Sequence, residues 1–164
     1  MNIKIRKFII YNDYDSLKLF LEEHKNINLN YIHPNKYPNN LSIGLAYNSK
    51  ECLTLLFKSG LNINQPVVYD NIEINGMSAL MVESKYECIE NVKFLLKNDA
   101  SIYFKTYDGK SVRNVSSKKI FKIISKHLSK KRTKVKKILY NEVKCIDNFV
   151  IDNIVDFLHP KLLP

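Results

Sequence analysis

Tryptophan is absent from this 164-residue chain, and glycine occurs only four times, proline five times and cysteine three times. Each scarcity excludes a class of chemistry. Gly44, Gly60, Gly76 and Gly109 stand too far apart to build a Gly-rich phosphate loop, and neither HExxH nor GxSxG occurs. Cys52, Cys88 and Cys145 are odd in number and lack CxxC spacing, so three reduced, mostly buried thiols in a reducing compartment are expected rather than a disulfide framework or a zinc site. Glu87 and Glu90 flank Cys88 and should raise its pKa, which argues against a thiolate nucleophile. His24, His33, His127 and His159 are dispersed and are expected in solvated or capping roles, so no catalytic residue, metal, cofactor or small-molecule substrate is assigned. No stretch approaches the roughly 18 uncharged apolar residues that cross a bilayer. At the N-terminus, Asn12 and Asp13 interrupt the apolar run before a signal-peptide core can form. The expectation is a non-enzymatic cytoplasmic chain without a membrane segment.

What is present is ordinary for a globular core: 45% hydrophobic and 26% charged residues. Asn, Lys, Ile and Tyr are abundant, the bias that AT-rich coding in a viral or parasite genome produces. The net charge of +10 is regional. Residues 105–144 hold fourteen Lys and Arg against Asp108 and Glu142, while the remaining 124 residues hold twelve basic and fourteen acidic groups. Such an asymmetry offers an electropositive face to phosphates, acidic proteins or anionic lipid, or simply a solvated helix.

The chain also repeats itself. Residues 15–28 align without a gap on 51–64 at a shift of 36, and 51–64 align on 90–103 at a shift of 39. The register is kept by an acid, an aliphatic residue two positions later, and the apolar triplets Leu19-Phe20-Leu21, Leu55-Leu56-Phe57 and Phe94-Leu95-Leu96. Leu17, Phe20 and Leu21, like Leu53, Leu56 and Phe57, recur at i, i+3 and i+4 and form one apolar stripe on a short helix. Leu56 and Leu95 are expected to be fully buried at equivalent positions. Gly60 is placed to end the second helix in the left-handed conformation, a role that Asn or Asp fills less comfortably elsewhere. Helices this short fold only by stacking their stripes on neighbours.

Residues 75–111 resemble an ankyrin repeat followed by the start of the next. The resemblance rests on Gly76, on Ser78-Ala79-Leu80 in place of Thr-Pro-Leu, on Val92 and Leu95-Leu96, on Asn98-Asp99-Ala100 in place of Asn-Gly-Ala, and on the 33 residues between Gly76 and Gly109. Glu83 and Ser84 depart from the family pattern. The resemblance implies an all-α, ankyrin-like helical solenoid of three to four repeats over residues 1–128, at about 1–34, 39–70, 75–107 and a degenerate 108–128. Residues 129–164 would form a basic junction and C-terminal capping helices. In that family, tips and inner helices carry the partner site, so Tyr31, His33, Lys36, Tyr37, Tyr69, Asp70, Tyr103, Lys105 and Tyr107 are the implied contacts with a protein or ribonucleoprotein partner.

The tail opens a second reading. Lys118, Lys122 and Lys126 share a helix face that Lys130, Lys134 and Lys137 extend, and Lys119, Lys131, Arg132 and Lys136 complete a cluster suited to RNA or another nucleic acid. Residues 129–137 read equally as a nuclear-import signal. Val135, Ile138, Leu139, Val143, Ile146, Phe149 and Val150 recur at helical spacing, and Val150, Ile154, Phe157 and Leu158 are expected to continue that buried face. Residues 149–163 vaguely resemble an F-box-like segment that would recruit a ubiquitin-ligase adaptor, although the opening Leu-Pro of that motif is missing.

Overall fold

A computed structural model describes residues 2–31, 38–67, 73–142 and 148–158. The chain divides into two compact units, Met1–Ser117 and Lys118–Pro164. Among the described residues it is all-helical, and its extended pairing is limited to two isolated bridges, Pro66 with Ser78 and Lys105 with Ser111.

The first unit is built from recurring helix pairs: α1 (Asn2–Ile10) with α2 (Tyr14–Glu23), α3 (Asn40–Ala46) with α4 (Lys50–Lys58), and α5 (Ala79–Lys85) with α6 (Ile89–Lys97), followed by the short α7 (Val112–Val115). Each pair turns through three residues whose central member is left-handed: Asn12, Asn48 and Glu87, at φ 50, 55 and 56°. These residues stand 36 and 39 apart, the shifts already visible in the sequence. The caps recur too. Asn39 accepts from the Ser42 amide at 2.9 Å and Ser78 Oγ from the Met81 amide at 3.3 Å, each satisfying an orphan donor at a helix start.

In the apolar stripes Leu17, Leu53, Leu56, Val92 and Leu95 stand at 0%, Leu96 at 2% and Phe20 at 7% exposure, whereas the i+4 members Leu21 and Phe57 are only half-buried. α1 packs on α3 and α2 on α4, while Phe57 and Phe94 bring α4 to α6 with ring centroids 6.1 Å apart. Polar ties accompany the packing. Ser49, wholly buried, gives its hydroxyl to the Ile9 carbonyl and Asn91 Nδ2 donates to the Leu45 carbonyl at 3.5 Å, so each helix pair satisfies a carbonyl near the end of the first helix of the pair before it.

Helices α4 and α6 end in the same motif. Gly60 lies at φ 100°, with Leu61 N donating to Leu56 O at 2.9 Å, and Asp99 lies at φ 65°, with Ala100 N donating to Leu95 O at 3.0 Å. The end of α2 differs. His24 stays at φ −123°, stacks on Phe20 with centroids 4.2 Å apart, and its Nδ1 donates to the Phe20 carbonyl at 2.9 Å. Asn28 then accepts from the Asn30 amide as Asn62 does from Asn64, both at 2.9 Å, and the Asn28-to-Asn62 spacing is 34 rather than 36. The gapless alignment of the first two repeats therefore slips by two residues after the helix, because without a glycine at the C-cap the chain takes a longer turn.

Carboxamides join successive turns. Asn30 Oδ1 accepts from the Asn62 amide at 2.7 Å while its Nδ2 donates to the Gly60 carbonyl at 3.0 Å, and Asn64 Oδ1 accepts from the Ser101 amide at 2.8 Å. Beyond these turns the chain runs out into hairpins closed by Gly76 and Gly109, at φ 80 and 78°. Both conformations are ones that a side chain would strain, which gives the 33-residue spacing its physical reason.

In the second unit α8 (Lys118–Glu142) runs unbroken through positions 128 and 129 and packs on α9 (Asn148–Leu158). The buried residues of α9 are Ile151 and Val155, at 3 and 0% exposure. Val150, Ile154, Phe157 and Leu158, expected to be buried, are instead exposed at 43, 36, 86 and 51%. The helix is rotated relative to that expectation: Ile151 and Val155 face inward, and Asp152 and Asp156, one turn apart, pair with Lys136 and Arg132 of α8.

Candidate interaction surfaces

Three surfaces emerge, one in the first unit and two in the second. The first is the hairpin after α6. Thr106 N donates to Lys110 O and Gly109 N to Thr106 O, both at 2.9 Å, and the Thr106 hydroxyl donates to the Asp108 carboxylate. Lys110 Nζ closes the turn on the other Asp108 oxygen at 2.6 Å. This clamp leaves Tyr107 fully exposed at the tip, with Lys105 exposed and Tyr103 at 41%. Tyr31, at 44%, follows Asn30 in the first turn. Tyr103 stands at the position that Asn30 and Asn64 hold in the other turns; with a phenol in place of a carboxamide, it ends the ladder of amide contacts. His33, Lys36, Tyr37, Tyr69 and Asp70 lie outside the described residues.

A groove of about 440 Å³, not foreseen from the residue pattern, lies beside this hairpin and is lined by Glu73, Met77, Lys85, Lys110, Asn114 and Val115. Glu73 and Lys85 pair within it at 2.8 Å, which lowers the Glu73 carboxyl and raises the Lys85 ammonium. Lys110 belongs both to this groove and to the tip clamp. The twelve-residue separation of Glu73 and Lys85 matches no helix or strand spacing, so only the folded hairpin reveals the pair.

The clamp has a pH signature. Its hydrogen bond from Lys110, and then that from Thr106, hold the Asp108 carboxyl down at about 2. Because the folded value lies below the unfolded one, the clamp's contribution is complete above the usual carboxylate range and is lost as pH falls through about 2. NMR titration of the Asp108 carboxyl should give a midpoint near that value, and Lys110→Ala should move it back towards ordinary aspartate. A midpoint already ordinary in the wild type would mean that the clamp does not form.

Cys88 corrects an expectation. The thiol is exposed rather than buried, while Cys52 is buried and Cys145 lies outside the described residues. The direction of the Cys88 shift is upward as expected, but partial burial leads, followed by the charge and hydrogen bond of Glu83 rather than Glu87 or Glu90. Burial, with Asp13 and Glu51, also pushes Cys52 up.

The second surface is α8. Its ten basic residues fall into three groups. Arg132, whose side chain is 15% exposed, pairs with Asp156, and Lys136 pairs with Asp152. Lys131 is half-buried. Lys118, Lys119, Lys122, Lys126, Lys130, Lys134 and Lys137 are exposed, and none is in an ion pair among the described residues. At about 100° per residue these seven fall within about 160° of arc, opposite the buried Ile120, Ile124 and Leu128. Four close pairs at i, i+4 and two at i, i+3 repel, at about 0.2–0.5 kcal/mol each. Arg132, grouped by sequence with the cluster suited to nucleic acid, therefore belongs instead to the α8–α9 seam.

The third surface is the outward face of α9, where Val150, Ile154, Phe157 and Leu158 expose an apolar row. Among the described residues no group of three or more His, Cys, Asp or Glu could hold a metal ion, and no helix is long and apolar enough to cross a membrane. A scan against models of known protein families finds no match, and a search of curated proteins finds none either.

Proposed function

We propose that the first unit is a short ankyrin-like array and that the protein is a non-enzymatic interaction module, binding a protein partner through its hairpin tips and inner helices. The observation that carries this reading is the hairpin of residues 105–111. A turn braced by Thr106, Asp108 and Lys110 holds Tyr107 wholly in solvent, and its Gly109 repeats the backbone of Gly76 at the ankyrin spacing. A tyrosine on a braced turn supplies a large amphipathic contact with little ordering left to do on binding. The recurring turns at Asn12, Asn48 and Glu87 and the buried stripes support the array.

The test is affinity capture from nuclease-treated native lysate on the immobilised chain. Tyr103→Ala and Tyr107→Ala should each weaken binding of the captured protein by about 1–2 kcal/mol, the loss expected of a contributing interface residue. Tyr47→Ala and Tyr86→Ala, in the turns between paired helices and also exposed, should leave it unchanged. Equal loss from both pairs, or from neither, would reject the tip as the contact.

A further inference from the structure

We infer that the outward lysine face of α8 is a binding site for the phosphate backbone of a nucleic-acid duplex. This site is carried by the second unit and stands independently of the tip reading.

The geometry is that of a charged rod. Lys118 to Lys137 spans about 28 Å at 1.5 Å per residue, so seven ammonium groups present about one charge per 4 Å. A duplex carries one phosphate per about 3.4 Å along each strand, close to the same line density. The two acids of α9 neutralise Arg132 and Lys136 and so leave these seven uncompensated. A face serving only for solvation would mix the two signs, as stable exposed helices do. Here the like charges repel at every turn, and a polyanion relieves that repulsion while releasing its own counterions.

The chemistry of the face selects among polyanions. All seven groups are lysines, compact point charges suited to phosphate at any sequence; the one arginine of α8, which would offer a bidentate fork to a carboxylate, is taken by Asp156. A membrane-lying helix needs an exposed apolar face opposite its cations to insert, yet on α8 Ile120, Ile124 and Leu128 of that side are buried, and the exposed apolar row of the unit lies on α9 instead. Single strands are gripped by rows of stacking aromatics, whereas this face has one, Tyr140 at its end, 58% exposed. A continuous helical row of lysines without a stacking platform fits a stiff double-stranded backbone, read without base contacts.

The experiment is fluorescence anisotropy of the full chain with a labelled 24-base-pair RNA duplex, the matching DNA duplex, single-stranded RNA, and vesicles containing phosphatidylserine, from 50 to 200 mM salt. Seven phosphate contacts predict a log–log salt slope of about −6 on a duplex and a loss of about a thousandfold or more across that range. Lys119→Gln/Lys122→Gln/Lys126→Gln/Lys130→Gln should cut duplex affinity by at least about 30-fold at low salt and bring the slope to about −3. The same four positions changed to Arg should keep both, and Lys18→Gln/Lys25→Gln/Lys58→Gln/Lys97→Gln, an equal charge change in the first unit, should alter affinity by less than about threefold. RNA and DNA duplexes bound alike would place recognition in the backbone alone; a preference for either would add its groove shape. The inference is overturned if the wild-type chain binds no duplex at 50 mM salt, if the first-unit set costs as much as the α8 set, or if single strands or vesicles bind more tightly than duplex and lose that binding in the α8 variant.

Discussion

Leu95→Ala should lower the unfolding free energy by about 2–5 kcal/mol, read from urea denaturation followed by helical circular dichroism. The side chain is wholly buried on α6, between Val92 and Leu96 of the same stripe, and truncation removes its transfer free energy and leaves a cavity. The backbone beneath is fixed, since the Leu95 carbonyl accepts from the Ala100 amide in the helix-ending motif, so relaxation into the void is restricted and the upper half of the range is expected. Leu56→Ala, at the equivalent position of α4 and equally buried, should cost a similar amount. Leu19→Ala is the control. Leu19 opens the first apolar triplet, yet it is 62% exposed, and its truncation should stay within about 0.5 kcal/mol. Similar losses at Leu19 and Leu95 would mean that the stripes do not face inward as described.

That contrast marks how far the sequence carries. The i, i+3, i+4 spacing identified the buried stripe because helix geometry alone decides which residues share a face, and Gly76, Gly109 and Gly60 were legible because few residues tolerate their backbone conformation. The Asn30 and Asn64 contacts were not legible. An asparagine in a turn is as readily solvated as bonded, and only the stacked turns place its carboxamide on the amide of the next. The slip after α2 was hidden for a related reason: a gapless alignment scores residue types, while His24 closes its helix with its ring and leaves the extra length to the turn. In the second unit, periodicity picked the stripe of Val150, Ile154, Phe157 and Leu158 on α9, whereas Ile151 and Val155 are the residues buried. The packing of α9 on α8, where Asp152 and Asp156 meet Lys136 and Arg132, is a tertiary fact that periodicity does not carry. The same pairing sorts the basic cluster, removing Arg132 and Lys136 from a surface on which sequence alone placed all ten. Of the tip residues, Tyr31, Tyr103, Lys105 and Tyr107 are placed at turns and a hairpin.

Gly44→Ala should destabilise the first unit by about 1–3 kcal/mol, although alanine is the better helix former by about 0.5–1 kcal/mol. Gly44 lies within α3, and a Cβ there would stand 2.5 Å from both Cδ2 and Cγ of Leu53 and 2.9 Å from its Cδ1. Cγ is the branch point of the side chain, so a rotation of the terminal methyls does not clear the clash. Leu53 is wholly buried on α4 and has no solvent to move into, so the overpacking outweighs the propensity gain. The next repeat indicates the compensation. At a shift of 39, Glu83 and Val92 occupy these two positions, a residue with a Cβ on the first helix facing one with a shorter side chain on the second. Leu53→Val alone should cost about 1 kcal/mol in lost packing, whereas in the Gly44→Ala background it should recover at least half of the loss. The four proteins form a double-mutant cycle with a coupling energy of at least about 1.5–2.5 kcal/mol. Additivity within about 0.3 kcal/mol would show that α3 and α4 do not approach as closely as Gly44 allows, and that this glycine is a cost to its helix with no packing return.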